Sequence, residues 1–212
     1  MLPAAALIAA WLMAGRAWRQ LLFWCSGFAL LSVLVAASKL AFLGWGIGSE
    51  SLDFTGISGH TALAVGIFPV GAALALADRS APVRWGGTVV GALVGLAIGL
   101  SRTALHVHSV SEVVAGAALG GALSAIYFWG SAHAEPARLR PAVLGGMLLI
   151  TMISIHGERA PTQDLLTRLA LDLSGRSMPH SRTEWQANAA GRDGHPPWVA
   201  QQPRGSSAMI EN

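Results

Sequence analysis

The sequence predicts an all-α protein, a polytopic transmembrane helix bundle of about six membrane helices with a partly disordered polar C-terminal tail. Two observations predict this fold class. Of the 212 residues, 53% are hydrophobic and only 12% are charged, whereas soluble domains carry about a quarter charged residues. The apolar residues also gather in long stretches, and the chain becomes polar after His156. We therefore expect a transmembrane bundle over residues 1–156 and a polar tail over residues 157–212.

Six apolar stretches predict the membrane helices in chain order, at about 2–15, 20–43, 61–77, 85–100, 110–130 and 141–155. A spanning helix needs about 20 apolar residues. The second and fifth stretches meet this length, the third and fourth are marginal, and the first and last are short. A bundle that thins the bilayer locally tolerates short helices. Arg16 and Arg19 follow the first stretch instead of preceding it, which favours a membrane helix over a signal peptide.

The charges in the loops predict the orientation of the bundle. If the stretches alternate sides, one side of the membrane receives six arginines, namely Arg16, Arg19, Arg79, Arg84, Arg138 and Arg140. The other side receives mainly acidic residues, namely Glu50, Asp53 and Glu112, beside Lys39 and Arg102. Short cytoplasmic loops collect Lys and Arg. The acidic side is therefore expected to face outward.

Small residues recur every four positions in the fourth and fifth stretches, at Gly87, Gly91, Gly95 and Gly99, and at Gly116, Gly120 and Ser124. This spacing places them on one helix face, where they let helix backbones approach closely within a membrane. We interpret both sets as packing stripes.

The tail contains one predicted helix, over residues 162–174, with its leucines on one side. Thr162 is a suitable N-cap and Gly175 a suitable stop. Beyond about Ser177 the composition predicts disorder.

Composition also excludes some functional classes. The cations lie in loops and in the tail instead of along one face, so the net charge of +3 does not predict a nucleic-acid partner. Cys25 is the only cysteine, which excludes a disulfide framework and a cysteine-based metal site.

Ionisable residues at membrane level are costly and indicate function. Under the alternating topology they meet at the outward face from three places, with Lys39 in the first, Ser58, Gly59 and His60 in the second, and Ser101, Arg102, His108 and Glu112 in the third. Lys39 and Arg102 supply positive charge for phosphate oxygens. The hydroxyl of Ser58 and the unhindered backbone N–H of Gly59 complete an anion site.

The two remaining types of group, imidazole and carboxylate, predict the chemistry. His108 and Glu112 are four residues apart, so on a helix they share a face and can touch. The carboxylate would fix the imidazole tautomer and free the other ring nitrogen for attack. His60 could then give a proton to the leaving oxygen. The set suits phosphoryl transfer through a phosphohistidine.

Three sequence motifs carry a resemblance to a known family. Residues 101–116, Ser-Arg-Thr-Ala-Leu-His-Val-His-Ser-Val-Ser-Glu-Val-Val-Ala-Gly, resemble the third signature of the type 2 phosphatidic acid phosphatase family, which is Ser-Arg, five residues, His, three residues, Asp. Ser58-Gly59-His60 resembles the second signature, Pro-Ser-Gly-His, and Lys39 resembles the start of the first, Lys, six residues, Arg-Pro. The resemblance covers roughly residues 20–130.

The resemblance implies a helical membrane bundle that hydrolyses phosphate esters or diphosphates, often on lipids, without a metal or other cofactor. It makes His108 the nucleophile, Glu112 its orienting residue and His60 the acid. Lys39, Ser58, Gly59 and Arg102 become phosphate binders. The expected partner is a membrane lipid that bears a phosphate or diphosphate, in a bacterial inner membrane with the site on the periplasmic side.

The sequence departs from the family pattern at four points. Gly46 and Ile47 stand where the first signature has Arg-Pro, so one phosphate-binding cation is missing. Ile57 replaces the proline of the second signature, and Glu112 replaces the aspartate of the third. Only two candidate helices precede the first motif, where the usual arrangement has three.

The sequence leaves several alternative functions open. The missing cation favours a catalytically degenerate member that binds a lipid phosphate or acts as a scaffold. A transporter would need an inverted repeat, which the sequence does not show, and vanadium-dependent halide oxidation shares the same residue types. His106 and His108 could form a metal pair, but no third ligand is placed. Five histidines are interpreted as structural, namely His106, His133, His156, His180 and His195.

Overall fold

The structure is a computed structural model that describes residues 1–132 and 162–185. These residues form six α-helices and no β-strand, which confirms the all-α fold class for this part of the chain. The helices are α1 (Leu2–Ala14), α2 (Trp18–Trp45), α3 (Gly59–Ala75), α4 (Ala81–Ala104), α5 (Val110–Ser131) and α6 (Thr162–Ser174). The apolar stretch expected at 141–155 lies outside the described residues.

Three of these helices are long and apolar enough to cross a membrane. They are α2, α4 and α5, with 28, 24 and 22 residues. At about 1.5 Å per residue, each exceeds the roughly 30 Å thickness of the hydrocarbon core. The apolar helices α1 and α3 have 13 and 17 residues and are shorter than a full span. The described residues therefore contain three candidate spans, and a total of about six is not confirmed.

Helix α3 lies at the centre of the bundle, where it contacts α1, α2, α4 and α5. Its inward residues join a core that includes Leu12, Trp24, Leu31 and Val70, all buried. The Trp24 indole N–H donates a hydrogen bond of 3.1 Å to the Ala5 carbonyl, which ties α2 to α1. Large apolar residues elsewhere on α2 and α4 are exposed, as expected for helices that face lipid.

The glycine stripes of α4 and α5 both face α3. A Cβ added at Gly95 would lie 2.8 Å from the Val65 Cα atom, and one at Gly116 would lie 2.6 Å from the Ser58 carbonyl oxygen. Real Cβ atoms do not approach other atoms this closely. The stripes therefore let two neighbouring helices contact the backbone of the central helix closely.

Successive helices run in opposite directions, so two connections lie at the same end of the bundle. Residues 46–58 join α2 to α3, and residues 105–109 join α4 to α5. The four arginines Arg16, Arg19, Arg79 and Arg84 lie in or beside the connections at the other end. Charge is thus divided between the two ends as the sequence predicts.

Helix α6 packs beside the end of α2, where the Ala170 carbonyl oxygen lies 3.2 Å from the position of a Cβ at Gly44. The helix ends at Ser174, and Gly175 takes the left-handed conformation with φ +68°. Composition predicts disorder beyond about Ser177. The chain instead follows a defined path from there to Trp185. The Trp185 ring packs edge-on against Phe42, with ring centroids 4.9 Å apart. Residues 186–212 lie outside the described part of the chain.

The neighbouring residues Gly120 and Gly121 test the close packing of α5 on α3. A Cβ at Gly120 would collide with the Ala62 carbonyl oxygen, whereas a Cβ at Gly121 would meet no atom within 4 Å. We expect Gly120→Ala to lower the free energy of unfolding by about 1–3 kcal/mol, because the helices must separate. Gly121→Ala should leave it unchanged or slightly raised, because alanine favours helix. Thermal unfolding in detergent compares the two variants, and equal midpoints would contradict the packing.

Candidate active site

His108 and Glu112 form the closest pair of ionisable side chains at the loop end of the bundle. The Nδ1 atom of His108 lies 2.6 Å from Oε2 of Glu112, and the two side chains are 15% and 0% exposed. The sequence predicted this contact from i,i+4 spacing on a helix. The contact forms differently, because α5 begins at Val110 and His108 precedes the N-cap residue Ser109.

A capping box at the start of α5 brings the pair together. The Ser109 hydroxyl accepts from the Glu112 backbone N–H, and Oε2 of Glu112 accepts from the Ser109 backbone N–H at 3.3 Å. One carboxylate oxygen, Oε2, thus pairs both with the Ser109 backbone N–H at the helix terminus and with the His108 imidazole. The capping box motif uses Glu or Gln at this position. Glu112, which stands where the resemblance would place an aspartate, fills this role here.

The second carboxylate oxygen of Glu112 binds groups from two other parts of the chain. Oε1 accepts hydrogen bonds from the Thr55 backbone N–H at 2.8 Å and from the Thr55 hydroxyl at 2.6 Å. It also accepts from Nη2 of Arg182 at 2.7 Å. Burial removes the carboxylate from water, and these donors replace the hydration that it loses. The orientation of Glu112 is therefore determined from both sides.

A cavity of about 500 Å³ opens beside the pair. Four of the residues predicted for the site line it, namely Lys39, His60, Arg102 and His108. They come from α2, α3, α4 and the connection before α5, so the fold brings together residues that are distant in the sequence. Nε of Arg102 is buried and has no hydrogen-bond partner among the residues that the structure describes. A buried guanidinium N–H without an acceptor suits an anionic ligand.

Two other predicted residues lie behind the cavity wall. Ser58 is fully buried, and its hydroxyl pairs with the Thr61 hydroxyl at 2.8 Å. Its backbone N–H donates to the Glu112 carbonyl oxygen at 3.2 Å, which joins the start of α3 to α5. Gly59 faces Val35 of α2. Neither residue is part of the cavity lining.

Sequence reasoning missed three residues of this site. Thr55, His180 and Arg182 line the cavity, and His180 had been interpreted as structural. Thr55 lies in a loop whose path composition does not predict. Arg182 lies 70 residues beyond Glu112, in a segment predicted to be disordered. An arginine in a polar tail gives no signal that distinguishes it from a solvated charge.

Within the described residues, the ionisable side chains predicted for the site lie at the end of the bundle that holds the 500 Å³ cavity. A second cavity, of about 320 Å³, lies at the other end among Gln20, Arg84 and Tyr127, and none of the described residues that line it is a histidine or an acid. Within residues 1–132 and 162–185, no group of three or more His, Cys, Asp or Glu side chains could hold a metal ion. His106 projects from a left-handed position with φ +54° and does not line the cavity.

Comparison with known proteins gives two matches. The model of the PAP2 superfamily matches residues 45–135. An "Uncharacterized 22.5 kDa protein in cps region" of Klebsiella pneumoniae is 35% identical over 194 residues, which cover 89% of this chain and 93% of that protein. No solved structure matches the chain.

The hydroxyl of Thr55 offers a test of the Glu112 environment. Thr55→Val keeps the side-chain shape but removes a hydrogen bond to a buried charge, so we expect the free energy of unfolding to fall by about 1–3 kcal/mol. Thr103→Val is the matched control, because the Thr103 hydroxyl only returns to the Leu100 carbonyl of its own helix. Thermal unfolding in detergent measures both variants, and an equal loss in each would disprove the special role of Thr55.

Proposed function

Because the chain belongs to the PAP2 superfamily, we propose that it is a membrane phosphatase that hydrolyses a lipid phosphate or diphosphate. The reaction would proceed through a phosphohistidine on His108 and would need no metal ion. In class the enzyme would be a phosphoric monoester or diphosphate hydrolase. Family membership supports a phosphatase fold, and the residues of the cavity support the chemistry.

The observation that carries the proposal is the position of His108 between a buried carboxylate and a cationic cavity. Nδ1 is engaged by Glu112 at 2.6 Å, which leaves Nε2 as the nitrogen available to a ligand. Lys39 and Arg102 line the same cavity, together with His60. An oriented imidazole beside fixed positive charge is the arrangement that in-line attack on a phosphate requires.

The proposed mechanism has two steps. In the first, the Nε2 lone pair of His108 attacks phosphorus, the P–O bond to the leaving group breaks, and His60 gives its proton to the leaving oxygen. In the second, water attacks the phosphorus of the phosphohistidine and gives a proton to His60. The P–N bond breaks, so phosphate is released and both imidazoles return to their starting states. The carboxylate of Glu112 stabilises the positive charge that develops on the His108 ring. Lys39 and Arg102 stabilise the charge on the phosphoryl oxygens.

Apolar residues around the cavity support a lipid substrate. Ile47, Leu52 and Val107 lie in the connections beyond the helix ends, and each is more than half exposed. Exposed apolar side chains grouped at the end of a membrane bundle suit contact with lipid. Val107 also lines the cavity itself. A phosphate headgroup could therefore enter while the acyl or prenyl chain remains in the bilayer.

The distribution of arginines between the two ends of the bundle indicates which side of the membrane the cavity faces. The arginines of the short connections lie at the end opposite the cavity, and short Arg-rich loops stay in the cytoplasm. We accordingly place the cavity on the outer side of the membrane. For a bacterial inner membrane this is the periplasmic side, and the similar protein from Klebsiella pneumoniae fits a bacterial setting.

A second candidate function is lipid-phosphate binding without turnover. Gly46 favours it, because this position matches the arginine of the first family signature and supplies no charge. The loss of one charge-assisted contact in a transition state costs on the order of a hundredfold in rate or more. Such a protein would bind the same headgroup and release no phosphate.

Removal of the proposed nucleophile distinguishes the two functions. We expect the detergent-solubilised wild type to release phosphate from lipid phosphates in the presence of EDTA, and His108→Ala to lose on the order of a thousandfold or more in rate. His106→Asn is the control, since asparagine tolerates the left-handed backbone of His106. Binding of a lipid phosphate by the folded wild type without phosphate release would establish the second candidate. Equal release by all three proteins would exclude His108 as the nucleophile.

The proposed acid can be tested with substrates whose leaving groups differ. His60→Ala should slow hydrolysis of a lipid alkyl phosphate by about 10²–10⁴-fold, because an alkoxide must then leave without a proton. The same variant should lose far less activity on p-nitrophenyl phosphate, whose phenolate leaves without protonation. The rates of leaving-group release in a single turnover, compared for both substrates across pH 4–9, provide the measurement, because the second step is the same for both. An equal loss on the two substrates would show that His60 binds the phosphate instead of acting as the acid.

A further inference from the structure

The segment after α6, residues 175–185, forms part of the cavity wall and is attached to α2 at two points. The His180 backbone N–H donates to the Leu43 carbonyl oxygen at 2.9 Å. The Trp185 ring packs against Phe42. Between these anchors the chain starts a helical turn at Arg182, which Ser181 and Glu184 cap reciprocally at 3.2 and 3.3 Å. Residues 180–182 are thereby held at the cavity wall.

Gly46 makes room for this segment. It ends α2 in the left-handed conformation, with φ +68°. A Cβ at this position would lie 3.3 Å from two ring atoms of His180. An arginine here would strain the backbone and press against the ring. One of the residues that depart from the family signatures is therefore in contact with the C-terminal segment.

The same segment brings a different arginine to the site. Nη2 of Arg182 lies 2.7 Å from Oε1 of Glu112, and Nε lies 3.2 Å from Oδ1 of Asp53. The guanidinium also reaches the Thr55 hydroxyl at 3.3 Å. Its planar fork spans two carboxylates, one on the α2–α3 connection and one on α5. The Arg182 side chain is 25% exposed, so most of it is enclosed by these partners.

We infer that Arg182 is a positioning residue, which holds the Glu112 carboxylate so that Oε2 remains directed at Nδ1 of His108. Among the described residues, Oε1 without the guanidinium keeps the two donors of Thr55 and loses the one cationic side chain that contacts it. The carboxylate could then rotate, and His108 would lose its fixed orientation. The catalytic consequence rests on the proposed function, whereas the geometric one does not.

The competing role for this segment is inhibition. His180, Ser181 and Arg182 line the cavity, so they could obstruct a headgroup instead of supporting the reaction. The two roles predict opposite changes in rate. Removal of the Arg182 side chain lowers kcat if the residue positions Glu112, and raises activity if it blocks the cavity.

The kinetic test compares Arg182→Ala and Arg182→Lys with Arg176→Ala in the full-length protein. We expect Arg182→Ala to lower kcat for lipid phosphate release roughly ten- to hundredfold, as for a lost charge-assisted hydrogen bond, with KM within about twofold. Arg182→Lys keeps the charge without the fork and should be intermediate. Added guanidinium should partly restore Arg182→Ala. Arg176 is exposed and, within the described residues, bonds to the Met178 carbonyl alone, so Arg176→Ala should match the wild type.

A second measurement does not require turnover. In histidine-labelled protein, the His108 Nδ1 proton bound to Glu112 should give a downfield NMR resonance, assigned by its loss in His108→Ala. It should shift or broaden in both Arg182 variants and persist in Arg176→Ala. An unchanged resonance, an unchanged kcat or a raised kcat in the Arg182 variants would each overturn the inference. If the wild type releases no phosphate while the resonance responds to Arg182, the positioning role stands and the phosphatase proposal fails.

Discussion

The buried carboxylate of Glu112 is the interaction on which the rest of the site depends. A negative charge removed from water is costly unless donors replace its hydration. Glu112 obtains those donors from Thr55, His108, Ser109 and Arg182. One side chain therefore joins the α2–α3 connection, the start of α5 and the C-terminal segment. Any rearrangement of these three parts must first leave part of this charge unsatisfied.

Helix α3 provides the rigid framework that makes this convergence possible. Its backbone lies against α4 and α5 at glycine positions such as Gly95 and Gly116, which allow contact without intervening side chains. The distance between the helix ends is then set by backbone contact, which flexible side chains could not define as closely. His60, Arg102 and His108 are placed around one cavity because the helices that carry them are fixed in this way.

Much of this architecture could be predicted from the sequence, because it follows from local patterns. Apolar length located α2 and α5, loop charge divided the two ends, and the spacing of Arg102, His108 and Glu112 indicated the site. The contact of His108 with Glu112 was expected, but for a different local reason, since the capping box and not a helix face produces it. Ser58 was expected to offer its hydroxyl to a phosphate, and in the structure this hydroxyl pairs with that of Thr61.

The remainder depends on contacts between distant parts of the chain, which have no local pattern. The glycine stripes indicated close packing but could not identify α3 as the partner, because small residues fit any neighbouring helix. The path of residues 175–185 depends on single contacts with Leu43, Phe42 and Glu112. Composition describes such a segment only as polar. For the same reason, the sequence showed that Gly46 lacks the cation of the family signature, but it could not show that the His180 ring packs against this glycine.

The long sequence separation between Arg182 and Glu112 has a consequence for biosynthesis. The ribosome completes every residue of α1–α5 before it adds Arg182, which comes 70 residues after Glu112. The helices of a nascent chain can therefore pack together while the carboxylate still lacks its guanidinium partner. The site reaches its final set of contacts only when the C-terminal segment has been made and has packed against α2. Assembly of the bundle and completion of the site are thus separate events in the life of each molecule.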